Sequence, residues 1–132
     1  MTIRTASMAD FTFLTAHDPH IAPDELSSVL ALGRILIAEI DGVPVGWLRW
    51  NLFWDNTPFV NLLYVLEPWR GQGIGRALMQ RWEADRSGYP AVMTSTQADE
   101  QAQHFYRKLG YRDAGALLLP GEPLEILFYK SL

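Results

Sequence analysis

Phe59 to Leu66 (FVNLLYVL) is a nearly unbroken apolar run, and Arg70-Gly71-Gln72-Gly73-Ile74-Gly75-Arg76-Ala77 follows it with three alternate glycines. A short apolar run of this kind predicts a buried strand. From Ile74 the apolar residues recur at four-residue steps, Ile74, Leu78 and Trp82, while Arg76, Gln80, Glu83 and Arg86 fall on the other side. That is the pattern of an amphipathic helix. The glycines therefore sit at a strand-to-helix turn, where the absence of side chains lets a ligand reach the backbone. The unpaired N–H groups of the first helical turn face such a ligand with the positive end of the helix dipole. The natural guest is a phosphate.

The rest of the chain can be arranged around this unit. Ile3 to Ala6 predicts a first strand, and Ser7 a cap for a helix with Met8, Phe11 and Leu14 on its apolar side. A second helix is expected from Pro23 to about Leu32, opening with Asp24 and Glu25 and stopping near Gly33. Arg34 to Ile40 and Val43 to Leu52 are β-rich runs joined by Asp41-Gly42, a strong hairpin signal. Asn51 to Pro58 (NLFWDNTP) reads as a turn-rich aromatic loop. After the central helix, Ala91 to Thr96 predicts a strand parallel to the Phe59 strand. Thr96 to Asp99 has capping-box spacing for a helix carrying Ala102, Phe105 and Leu109. Ala116 to Leu119 and Leu124 to Tyr129 then form two extended runs around Pro120-Gly121-Glu122-Pro123. The expectation is a single α/β (α+β) domain over residues 1–132, with a mixed, mostly antiparallel sheet of about seven strands.

Charge and residue usage exclude several functions. A net charge of −4 argues against a general nucleic-acid binder, although Arg70 and Arg76 make a local basic patch. With no cysteine there is no disulfide, thiolate metal site or Cys nucleophile, which fits a reducing cytoplasm. The opening MTIRTASMADF lacks the apolar core of a signal peptide, and no run of about 18 apolar residues occurs. A cytoplasmic protein without membrane contact is expected. His17, His20 and His104 have no partner at metal-ligand spacing, so no metal is expected.

Two nucleotide motifs fail on residues. A P-loop needs Lys and then Ser or Thr after its last glycine, where this chain has Arg76-Ala77; a dinucleotide fingerprint needs glycine at position 76. The loop instead resembles that of the GNAT superfamily of acetyl-CoA-dependent N-acyltransferases, Arg/Gln-x-x-Gly-x-Gly/Ala, met here by Arg70-Gly71-Gln72-Gly73-Ile74-Gly75. A second signature of that family, Ala-x-x-Phe/Leu-Tyr-x-Lys-x-Gly-Phe/Tyr, is similar to Ala102-Gln103-His104-Phe105-Tyr106-Arg107-Lys108-Leu109-Gly110-Tyr111. The resemblance covers almost the whole chain. The Glu67-Pro68 pair reverses the family's usual Pro-acid order.

The resemblance implies helices on both sheet faces, a splay between strands four and five, and acetyl-CoA as donor. Residues Gly71, Gln72, Gly73, Ile74, Gly75 and Arg76 would hold the CoA pyrophosphate through backbone N–H groups, with Arg70 and Arg76 adding charge. Leu63, Tyr64 and Val65 would lie beside the pantetheine arm as beside an added strand, with an N–H near Val65 stabilising the developing oxyanion. Tyr106 takes the family's general-acid position, where a phenol supplies a proton to the departing thiolate. Asp99 stands where many relatives have asparagine, and an ionised carboxylate cannot donate, so helix capping is its expected role.

The acceptor would be a primary amine of a small molecule, peptide or protein. Glu39, Asp55, Glu67, Glu125 or water are the alternatives for the base that takes the amine proton, each carboxylate also being readable as solvated surface. Trp47, Trp50 and Trp54, with Phe53 and Phe59, suggest an aromatic acceptor wall beside Asp55, although Trp47 and Trp50 have opposite parity along a strand. The C-terminal hairpin offers a surface for a homodimer. The alternative function, from another class, is a non-catalytic acyl-CoA-binding sensor or interaction module.

Overall fold

The computed structural model describes all residues, Met1–Leu132. In chain order the strands and helices are β1 (Thr2–Thr5), α1 (Phe11–His17), α2 (Pro23–Ala31), β2 (Ile35–Ile40), β3 (Val43–Phe53), β4 (Thr57–Val65), α3 (Ile74–Asp85), β5 (Ala91–Gln97), α4 (Ala102–Lys108), β6 (Arg112–Leu117) and β7 (Glu125–Ser131). Short 3-10 turns, Met8–Asp10 and Glu67–Trp69, precede α1 and the glycine loop. The seven strands form one sheet in the order β1-β2-β3-β4-β5-β7-β6. Only β4 and β5 run parallel; every other neighbouring pair is antiparallel. The mixed sheet and the β4/β5 crossover agree with expectation. No helix is long and apolar enough to cross a membrane.

Local chemistry accounts for several joints. Asp41 (φ 51°) and Gly42 (φ 76°) are both left-handed, as a two-residue hairpin matching the strand twist requires. Ser7 and Asp10 form a capping box: Ser7 Oγ accepts the Ala9 N–H at 3.3 Å, and the Asp10 carboxylate accepts the Ser7 N–H at 2.9 Å.

Three expected boundaries move. The Asn51 to Pro58 segment is mostly strand, because Asn51, Leu52 and Phe53 pair with Phe59, Pro58 and Thr57, leaving a turn at 54–56 with Trp54 and Asp55 left-handed. The capping box at Thr96 and Asp99 does not form. β5 runs on to Gln97, which pairs with Glu125, so Thr96 stays buried in the strand, and α4 starts at Ala102 without a side-chain cap. The last hairpin begins earlier than its apolar pattern suggests, with β6 already paired from Arg112.

The sheet buries a core on each face. On the α3 and α4 side, Ile74, Leu78 and Trp82 pack against Leu48, Trp50, Val60, Tyr106 and Phe128. Each such large apolar side chain contributes about 1.5–3 kcal/mol on burial. On the α1 and α2 side, Leu14, Leu26 and Leu30 cover Ile35, Ile37 and Trp47. Glu83 of α3 accepts from the Tyr111 hydroxyl at 2.9 Å and from Lys130 Nζ at 2.6 Å, tying the helix to β7. Trp47 and Trp50 therefore lie in different cores, as their parity requires. Trp54 projects into solvent at the hairpin tip, 78% exposed.

Candidate active site

The opening at the sheet centre has a local cause. β4 and β5 pair at only two positions, Phe59 with Met93 and Val60 with Thr94. Against β3, Arg49 pairs with Leu62 and Trp50 with Val60, so Asn61 is an extra residue in β4, a bulge that bends the strand. The Thr94 hydroxyl donates to the Val60 carbonyl at 3.1 Å, and beyond this bond the strands part. The fork opens into a cavity of about 600 Å³ between Val60–Leu63 of β4 and Thr94–Gln97 of β5.

A second groove of about 540 Å³ runs from the fork to the glycine loop. Leu63, Val65, Arg70, Gly71, Gly73, Ile74, Gly75 and Arg76 line it, with Ala102 and Phe105 of α4 as the opposite wall. Gly71 (φ 77°) and Gly73 (φ 81°) are left-handed, and Gly73 is the N-cap of α3, so the free N–H groups of the first turn face outward from the loop. A Cβ at Gly75 would stand 3.6 Å from Phe105 Cζ and 3.8 Å from Leu63 Cδ2, inside the groove. This bare, amide-lined floor fits a pyrophosphate and its attached chain. Arg70 donates from Nε to the Val65 carbonyl at 2.8 Å and lies over the Tyr64 ring, bracing the end of β4 beside the groove. Tyr64 turns its ring to the other sheet face, 5.2 Å from Trp47, and Gln72 lies outside the groove lining. Only the backbone of Tyr64 faces the expected cofactor path.

Groove and cavity share Leu63 and Ala102, so a ligand extending along one reaches the other. Tyr106 lies at the cavity with 6% of its surface exposed, its ring packed against Phe105, Tyr111 and Phe128. Burial pushes its phenol up to about 12, opposed by a hydrogen bond with Thr94 and assisted by the charge of Glu100. The group is therefore protonated at every physiological pH.

The four carboxylates weighed as proton acceptors separate clearly. Glu39 is tied to Arg4 at the β1–β2 edge, Asp55 sits at the β3–β4 hairpin tip, and Glu67 belongs to the turn before the glycine loop. Glu125 alone of the four lines the cavity. The aromatic wall does not form: Trp47, Trp50, Trp54, Phe53 and Phe59 are all absent from the cavity lining. Two groups that the sequence did not mark join it instead, His20 from the α1–α2 loop and Glu100 from the turn before α4. Neither carries a signal in the sequence that would have found it. Asp18 holds the His20 loop in place. Its buried carboxylate accepts from Arg49 Nε at 2.7 Å, Trp47 Nε1 at 3.3 Å and the His20 backbone N–H at 3.3 Å.

Comparison with known proteins agrees with this geometry. The family model described as "Acetyltransferase (GNAT) domain" matches residues 31–113. An uncharacterized N-acetyltransferase of Methanocaldococcus jannaschii is 34% identical over 82 residues, 58% of this chain and 51% of the relative, so the chain spans about half the length of that protein. An uncharacterized N-acetyltransferase of Mycobacterium bovis is 29% identical over 128 residues, covering 83% of this chain and 82% of its own. Among solved structures, Ard1 from Thermoplasma volcanium superposes with a TM-score of 0.84 at 18% identity over 99% of this chain and 97% of that one. A putative streptothricin acetyltransferase from Bacillus anthracis, solved in complex with acetyl coenzyme A, gives 0.68 at 24% identity over 74% and 61%. With a family model matched over more than half its length, on a sheet that forks beside a glycine-capped helix, the chain belongs to the GNAT acetyltransferase family.

Proposed function

We propose that the protein transfers an acetyl group from acetyl-CoA directly to a primary amine. The observation that carries this reading is the junction at Leu63 and Ala102, where the amide-lined groove opens into the cavity containing Tyr106. Acetyl-CoA would supply an acetyl group activated as a thioester. The amides of Gly71 to Arg76, with Arg70 and Arg76, hold its phosphates, and the free edge of β4 at Leu63–Val65 holds the arm behind the acetyl group. An N–H near Val65 faces the carbonyl oxygen as it gains charge.

Two side chains handle protons. The amine must lose one to keep its new C–N bond neutral, and the sulfur must be stabilised as the C–S bond breaks. We assign the first to His20, because its imidazole lines the cavity and carries a ring nitrogen able to accept a proton. Tyr106 serves the second by donating from its phenol oxygen. A phenol held at about 12 lies about 3.5 units above an ordinary thiol, so it contributes chiefly through a hydrogen bond to the departing sulfur. Release of free thiol from acetyl-CoA in the presence of an amine panel tests the reading. Stabilisation by CoA without any thiol release supports the binding-module alternative instead.

The same proposal keeps the cytoplasmic setting and the homodimer as expectations. β6 is an edge strand exposed along its length, with Leu117 at its end and Leu118 just beyond it both exposed. Sedimentation of the purified chain tests the dimer.

A further inference from the structure

The cavity and the groove carry opposite charge. Arg49 is the cavity's one guanidinium, and Asp18 neutralises it at 2.7 Å in a buried pair. Glu100 and Glu125 also line the cavity, and neither belongs to any ion pair of the protein. Glu122 adds a third carboxylate nearby, held by Gln97 Nε2 at 3.2 Å. The donor groove, by contrast, has Arg70 and Arg76 and no acidic residue.

We infer that Glu100 and Glu125 select acceptors carrying a second cationic group beyond the reacting amine, the class of small di- and polyamines. The inference rests on the acetyl-transfer reading and names its acceptor. A carboxylate that attracts the reacting ammonium also holds the proton that must leave, so attraction at that nitrogen works against the reaction. A second ammonium keeps its charge throughout. Its attraction to the carboxylates is the same before and during reaction, so it lowers KM without opposing deprotonation. A cavity of about 600 Å³ suits a small molecule.

Three amines of equal chain length test it: butane-1,4-diamine, 4-aminobutan-1-ol and 4-aminobutanoate, whose far ends are positive, neutral and negative. Two readouts are taken on the full chain: kcat/KM by thiol release, and affinity for the CoA-saturated protein by calorimetry. Both should fall in that order, by about tenfold per step at low salt. In the Glu100→Gln/Glu125→Gln variant, shown to be folded by its thermal shift with CoA, the three should converge. Equal or inverted affinities, or an order that survives in the variant, overturn the inference. Binding in charge order without thiol release upholds charge selection and overturns acetyl transfer; thiol release without charge order does the reverse.

Discussion

Asp18 and Arg49 form a buried ion pair across the α1–α2 loop and β3, with Nε 2.7 Å from Oδ2 and the Asp18 side chain fully enclosed. The same carboxylate holds the backbone of His20, so the pair anchors a loop that lines the cavity. Asp18→Asn leaves the Arg49 charge buried without its partner and should cost about 3–5 kcal/mol. Asp18→Asn combined with Arg49→Met should recover much of that loss. Urea denaturation of the single and double variants checks both, and a single variant within about 1 kcal/mol of the parent means that the charge escapes to water.

The glycine loop makes opposite demands of two neighbouring glycines. Gly73 is left-handed with open space around a built Cβ, so Gly73→Ala meets only backbone strain, about 1–2 kcal/mol. Gly75 lies within α3 and a Cβ there makes ordinary contacts, so Gly75→Ala should stabilise the protein by about 0.5–1 kcal/mol. That methyl also enters the groove. Thermal melts with and without CoA should therefore show Gly75→Ala raising Tm while shrinking the CoA-induced shift, and Gly73→Ala lowering Tm. A full CoA shift in Gly75→Ala removes the groove as the donor site.

The strand, glycine turn and helix were legible in the sequence because their determinants are local. Glycines alternating at a strand end and apolar residues at four-residue steps need no knowledge of distant contacts, and Ile74, Leu78 and Trp82 are all buried on one helix face. The cavity is assembled from segments far apart in the chain. Trp47 and Trp50 looked like one aromatic wall, yet the sheet sends them to opposite cores. His20 drew notice in the sequence only as a histidine without metal-ligand spacing, and Glu100 drew none; the buried Asp18–Arg49 pair and the fork between β4 and β5 bring them to the same cavity. The Thr96 and Asp99 cap had the right spacing but lost to the β5 ladder, whose pairing with β7 continues to Gln97.

His20→Gln removes the imidazole while keeping a polar side chain of similar length at the cavity. In His20→Gln at saturating acetyl-CoA, kcat should drop by about 100-fold. A rate close to that of the parent protein assigns the proton to Glu125 or water.

Tyr106 makes a prediction about stability as well as turnover. Its phenol is held at about 12 by burial, whereas in the unfolded chain it ionises near the ordinary value of about 10. Between these values the unfolded state binds fewer protons than the folded state, so unfolding becomes easier as pH rises. The full stability is present below pH 10, and about 3 kcal/mol is lost on approaching pH 12. Tyr111, whose phenol is also raised by burial and by Glu83, adds loss in the same direction. Tyr106→Phe keeps the ring contacts with Phe105, Tyr111 and Phe128. It should match the wild type in stability at neutral pH, lose less than the wild type in alkali, and reduce kcat by about 100-fold with little change in CoA affinity. Denaturation curves from neutral to alkaline pH, paired with steady-state rates, measure all three. Identical alkaline decline in the two proteins shows that the phenol ionises freely, and unchanged turnover removes it from the chemistry.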